Sequence, residues 1–260
     1  MQPINNFGIN NAGQQPVYSS QARGRETTPP QVEDHVDFNN GANNPVELSL
    51  LPSVDLIIGQ LASRGIEEGK AVKVEGQVTE GDDNKKLASV NYEMKMDQSS
   101  GALETKGYFL ADAENGKGTY INEKSVHNPS NPFLISTTGS VSTDKDSTEP
   151  NEVLNTQINM NVFSKQGQIN GFNVEEQMAL DYTGAFNMQG NLAGTPFMRR
   201  AVPDFMTGGN TIQGKMGDMP ETGQAVLSQD GGYIINRQIG PYKVSQKVSF
   251  TTPAPEQPPA

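Results

Sequence analysis

The stretch "MALDYTGAFNMQGNL", Met178 to Leu192, decides the fold class. Met178, Leu180, Tyr182, Gly184, Phe186, Met188, Gly190 and Leu192 alternate with Ala179, Asp181, Thr183, Ala185, Asn187, Gln189 and Asn191. Successive side chains of a strand point to opposite faces, so this two-residue rhythm predicts β structure with one apolar face. The run is about twice the usual strand length. Similar interleaving occurs in "VNYEMKM", through Val90, Tyr92, Met94 and Met96, and in "LNTQINMNV", through Leu154, Ile158, Met160 and Val162. Methionine fills irregular space and suits both loosely specified cores and adaptable binding surfaces. The apolar face therefore meets either a filled core or a chamber, and both readings stay open.

Outward from this stretch, "AVKVEGQV", "LASVNYEMKM", "LETKGYFLAD", "GTYINE", "FLISTTGSV", "VLNTQINMNVF", "QINGFNV", "NTIQGKM", "QAVLSQ", "YIINRQ" and "YKVSQKVSF" show period-two patterning or β-rich content. Hairpin chemistry marks "ENGK" with Asn115-Gly116, "QSSGA" around Gly101, "KQGQ" around Gly167 and "QDGG" around Gly231, so neighbouring strands should be antiparallel. About ten to twelve strands cannot stay a flat open sheet; they curl, split into a sandwich or close. The pattern apolar-x-Gly-x-apolar recurs as "VEGQV", "MQGNL" and "IQGKM", placing Gly76, Gly190 and Gly214 on the apolar face. Glycine there leaves a gap in side-chain cover and lets a sheet bend. Chance recurrence in a glycine-rich β protein explains the triplets equally well.

"SVDLIIGQLASRG", Ser53 to Gly65, is the one convincing helix. Ser53 suits the N-cap, Val54, Ile57, Ile58 and Leu61 form a single apolar stripe, and Gly65 can close the end. The expected fold is all-β and mainly antiparallel: a strongly curved or partly closed, barrel-like meander with one N-terminal amphipathic helix packed on it. Residues 1–44, rich in Asn, Gln, Gly and Pro, and the Pro-rich residues 251–260 read as disordered tails around a single β-rich domain, 45–250. Within the first tail "VEDHVDF", Val32 to Phe38, is a candidate docking segment for a protein partner.

Composition narrows the function. Only 33% of the 260 residues are hydrophobic and 27 are glycine, so the ordered part must be concentrated in the middle. A net charge of -11 argues against a nucleic-acid partner, which calls for lysine and arginine facing a polyanion. With no cysteine there is neither a disulfide nor a thiolate metal site. The N-terminus has no basic start and apolar run of a secretory signal, and no stretch approaches the ~20 apolar residues of a membrane span.

Catalytic and metal motifs are weak. His35 and His127 are the only histidines and have no partner at ligand spacing, so no metal or cofactor is expected. "GNTIQGKM" nearly spells a phosphate loop, but Met216 replaces the hydroxyl that would bind magnesium, and a strand-and-turn pattern replaces the strand-to-helix switch. "DAENGKGTYINE" spaces Asp112, Glu114 and Glu123 like a calcium loop, yet Lys117 stands at the obligatory glycine and a hairpin explains the same residues. No nucleophile turn is present, and carboxylate pairing across a cleft is invisible in sequence. A non-enzymatic role is the expectation.

"GTPFMRRAVPDFMTGG", Gly194 to Gly209, reads as a long loop that either plugs one end of the sheet or acts as a lid. As a lid, Phe197, Met198, Phe205 and Met206 would meet a ligand, membrane surface or protein while Arg199 and Arg200 meet an anionic group. With Met94, Met160, Tyr182, Phe186 and Met188 from the apolar faces, these are the candidate ligand-binding residues. The leading expectation is a non-catalytic protein holding an apolar small molecule or lipid in a curved sheet. The alternative is a structural or interaction protein with a solidly packed β domain and a partner-docking N-terminal arm.

Overall fold

The structure is a computed structural model that describes residues 45–54, 56–111, 118–142, 150, 152–159, 161–169 and 171–252. Two helices come first, α1 (Pro45–Leu48) and α2 (Leu56–Glu67). The strands follow as β1 (Ala71–Glu80), β2 (Lys85–Asp97), β3 (Ala102–Ala111), β4 (Thr119–Asn128), β5 (Asn131–Ser142), β6 (Glu152–Asn159) and β7 (Val162–Ile169). The second half holds β8 (Phe172–Leu180), β9 (Phe186–Leu192), β10 (Thr195–Asp204), β11 (Gly209–Met216), β12 (Met219–Leu227), β13 (Tyr233–Ile239) and β14 (Tyr242–Thr251). Every strand pairs antiparallel with its chain neighbours, and β1 pairs with both β2 and β14, so the meander closes into a barrel. Closure leaves no unpaired edge, which settles how a sheet of this size protects its backbone groups.

Three stretches whose rhythm predicts single strands are hairpins. The opening stretch breaks at Asp181–Ala185: the Asp181 carboxylate accepts bonds from Thr183 N at 2.8 Å and Ala185 N at 3.1 Å, and Gly184 has φ +80. This loop pairs Leu180 with Phe186, six residues on, so even-numbered residues face inward on both sides of the turn. That is why the alternation runs through it without an error. "VLNTQINMNVF" splits into β6 and β7, where Asn159 pairs with Val162. Partners three apart switch the inward parity, so Phe163, and not Val162, faces inward beside Ile158. "QINGFNV" likewise turns between Ile169 and Phe172. Gly167, expected at a turn, lies inside β7; the turns at Gly101 and Gly231 are present, and Asn115-Gly116 lies outside the described residues.

Inside the barrel lies the helical segment. Val46, Leu48, Leu50, Leu51, Val54, Ile57, Ile58 and Leu61 are buried in one cluster with the inward residues of the wall. Leu50 lies against the inward glycine of β1, Gly76, and α2 packs along β1 and β14. Gly65 does not end the helix; it stays within α2, where a Cβ would sit 2.4 Å from the Phe250 ring. The end is closed by Gly69, at φ +71, with Gly69 N donating to Ile66 O and Lys70 N to Gly65 O, both at 2.9 Å. This is the paired-bond motif that satisfies the last carbonyls of a helix.

Gly76, Gly190 and Gly214 all face inward, as the repeated pattern predicts. At Gly190 an added Cβ would lie 2.0 Å from Glu175 O, and at Gly214 2.1 Å from Met198 O, so here glycine permits close approach of neighbouring strands. On the outer face Lys73, Glu75 and Gln77 of β1, Asn155 and Gln157 of β6, and Asn187, Gln189 and Asn191 of β9 alternate with the buried set, beside exposed apolar Val153, Met198 and Ile234. No helix among the described residues is long and apolar enough to cross a membrane.

Candidate binding cavity

The helical segment fills only part of the lumen. It lies on the β1 and β14 side, and between it and the opposite wall remains a cavity of about 490 Å³. Pro52, Ser53, Gly59, Gln60, Ser63 and Glu67 form the helical side. The wall supplies Met94, Met96, Leu103, Ile135, Ile158, Phe163, Met178 and Phe186 from β2 to β9. The core-or-chamber choice thus has a divided answer, because one short helix cannot fill a lumen of this circumference. The volume falls within the roughly 300–1,000 Å³ of small-molecule sites.

One side of this apolar chamber is charged. Glu123 on β4 and Glu152 on β6 are both register partners of Gly139 on β5, so the two carboxyls face each other across a residue with no side chain. Ser53 lies close enough to influence both carboxyls. Yet Ser53 Oγ, Glu123 Oε1 and both Glu152 oxygens lack a hydrogen bond of normal geometry. Burial, and then the charge of Glu152, push the Glu123 carboxyl well above its ordinary range. Burial also raises Glu152, with Ser53, Glu123 and Lys165 pulling it down. Lys165 on β7 donates to Ser53 O at 2.5 Å and lies 3.6 Å from the Glu176 carboxylate on β8, which ties the helical segment to the wall.

A second interior cluster is structural. Arg199 on β10, Gly214 on β11 and Glu221 on β12 share one row, and Arg199 Nε reaches over the glycine to both Glu221 oxygens at 2.9 Å. Arg237 Nη1 donates to the same carboxylate at 3.4 Å, and Arg237 Nη2 to Gln246 Oε1 at 3.2 Å. The Arg199 guanidinium also stands 5.6 Å from the centre of the Phe197 ring.

Of the candidate residues, the cavity brings together Met94 and Phe186. Met188 and Phe197 are buried in the wall outside it. Tyr182 is the fully exposed tip of the β8–β9 turn, and Met160 lies outside the described residues. The segment Gly194 to Gly209 is no loop: most of it is β10, and only Phe205 to Gly208 form the turn. Its neighbours pair on both sides, so Met198 and Arg200 face outward while Phe197 and Arg199 face inward. The two arginines therefore never converge on one anion; Arg199 holds Glu221, and Arg200 Nη2 donates to Asp181 Oδ2 at 3.1 Å. Phe205 and Met206 are 90% and 94% exposed, so they plug nothing. His127 belongs to the end of β4 rather than to a loop, and reaches the cavity wall.

Sequence reasoning missed Glu123, Glu152, Lys165 and Glu176 as interior groups. Their signal was present: each shares the inward phase of its strand with aliphatic or aromatic residues, as in Val174, Glu176 and Met178 or Phe163, Lys165 and Ile169. Glu123, weighed as a calcium ligand, points into the barrel, while Asp112 and Glu114 lie outside the described residues. Among the described residues no group of acids or histidines is placed to hold a metal. No protein-family model, no curated protein and no solved structure matches the chain.

Proposed function

We propose that the barrel is a non-catalytic binding protein that holds an apolar, lipid-like molecule in the chamber between α2 and the β2–β9 wall. The observation that carries this reading is the chamber itself, about 490 Å³, whose wall sets Met, Leu, Ile and Phe side chains beside the hydroxyls of Thr105, Ser125, Thr137 and Thr156. Flexible methionines Met94, Met96 and Met178 let such a wall adapt to its guest. Its polar side, at Glu123 and Lys165, gives a few fixed groups to orient that guest. The neighbouring rim supports uptake from an apolar phase. The hairpins β8–β9 and β10–β11 end in exposed Tyr182, Phe205 and Met206, at the barrel end where α2 runs into β1 and where Gly101 and His127 line the chamber.

Two measurements test the reading. Extraction of the purified protein followed by mass spectrometry should recover an apolar molecule, and the folded protein should take up an environment-sensitive apolar fluorophore. Ile158→Trp, which puts bulk into the cavity, should abolish uptake with the circular dichroism spectrum unchanged, whereas Met198→Ser on the outer face should not alter it. Uptake that survives Ile158→Trp, or no uptake by the parent protein, removes the chamber as a binding site.

A further inference from the structure

Resting on that reading, we infer that the guest's polar end is a protonated amine seated against Glu123. The side chain of Glu123 lines the chamber, is 4% exposed, and leaves Oε1 without a hydrogen bond of normal geometry, with Ser53 and Glu152 as its polar neighbours. A buried acceptor in that state calls for a donor. Charge decides which kind. Three carboxyls, Glu123, Glu152 and Glu176, face one ammonium, Lys165, which is already engaged by Glu176 and by Ser53 O. A fatty-acid carboxylate would add a fourth acid to this set and find Lys165 already engaged. An alcohol could donate one neutral bond, but an ammonium donates charge-assisted bonds, about twice as strong. It also offsets the repulsion that an ionised Glu123 would otherwise meet from Glu152 across Gly139. The apolar remainder of the amine then lies along Met94, Met178 and Phe186.

The step is balanced simply: the ammonium enters with its proton, the carboxyl of Glu123 ionises, and its proton passes to solvent. Other groups facing this carboxyl are Ser53 from the helical segment, Glu152 on β6 and Lys165 on β7, with Glu176 beyond Lys165 and His127 farther along the cavity wall.

The test compares dodecylamine, dodecanol and dodecanoate on the full chain by titration calorimetry from about pH 5, just above the ordinary carboxyl range, up to neutral pH. The amine should bind at least tenfold more tightly than the alcohol, and its binding should release protons, read from the dependence of the heat on the buffer's ionisation enthalpy. Glu123→Gln should bring amine affinity down to that of the alcohol and abolish the proton release, while alcohol binding stays within threefold of the parent's. Dodecanol or dodecanoate binding as tightly as the amine overturns the inference and leaves the apolar chamber standing. If none of the three binds, the chamber reading itself falls, and this inference with it. The parent-protein comparison decides the matter even if Glu123→Gln fails to fold.

Discussion

Replacing Glu221 by leucine should cost this barrel a large part of its stability. Glu221 is shared by Arg199, at 2.9 Å to both oxygens, and by Arg237, at 3.4 Å, and all three side chains are buried. Leucine fills part of the space but removes the carboxylate that both guanidiniums share in a low-dielectric lumen. Breaking a buried ion pair from one side costs about 3–5 kcal/mol. That is a large share of the roughly 5–15 kcal/mol that holds a domain folded. With a urea dependence of about 2–3 kcal/mol per molar, the midpoint should fall by about 1–2 M. Equilibrium urea titration followed by circular dichroism and tyrosine fluorescence reads this directly, provided both probes coincide and the slope is unchanged. Arg199→Met and the double variant complete a cycle, whose coupling should exceed about 1.5 kcal/mol because both charges sit in one desolvated row. A Glu221→Leu midpoint within about 0.3 M of the parent, or a coupling near zero, would refute the view that this pair braces β10 against β12 across Gly214.

Glycines separate by what surrounds them. Gly214→Ala should cost about 2 kcal/mol or more, because its Cβ would meet backbone, Met198 O at 2.1 Å and Arg199 Cα at 2.8 Å. Gly59→Ala, on an α2 position with open space around it, should instead stabilise by about 0.5–1 kcal/mol; equal effects by urea titration would contradict the close-approach account. Glu123 carries a pH prediction: its folded carboxyl titrates above the ordinary 4.5, so the native state binds the extra proton. Stability should therefore fall as pH rises from about 4.5 toward that raised value. Glu152 acts in the same sense. Glu123→Gln should flatten that decline, and a urea midpoint that rises with pH through this range in the parent, with no change in the variant, would contradict it. Phe205→Ser with Met206→Ser should leave the unfolding free energy within the roughly ±0.5 kcal/mol typical of surface changes, since both side chains are exposed; a large loss by urea titration would restore them as a plug.

Much of the wall was legible because it depends on a local rule. Side chains alternate about a strand whatever it packs against, so Met178 to Leu192, Val90 to Met96 and the glycine triplets announced their inward faces in one dimension. Turns were less legible. The five-residue loop Asp181–Ala185 preserves parity and hides within an unbroken rhythm, while the turn between Asn159 and Val162 reverses parity and moved Val162 to the wrong face. The loop expected at Gly194 to Gly209 misled for another reason: paired arginines and prolines look unlike a strand until both neighbours supply partners for it.

By itself, the sequence determined an all-β antiparallel chain with apolar residues on one side, since that follows from period two and turn chemistry. Closure into fourteen strands, the helical segment lying within the lumen, and the meeting of Glu123 with Glu152 across Gly139 were decided only in three dimensions. Those features join residues far apart in the chain, as when Lys165 reaches Ser53, and their energies depend on what is excluded from the space between them. Local pattern fixes which way a side chain points; only packing decides whether it finds a neighbour, a charge or an opening there.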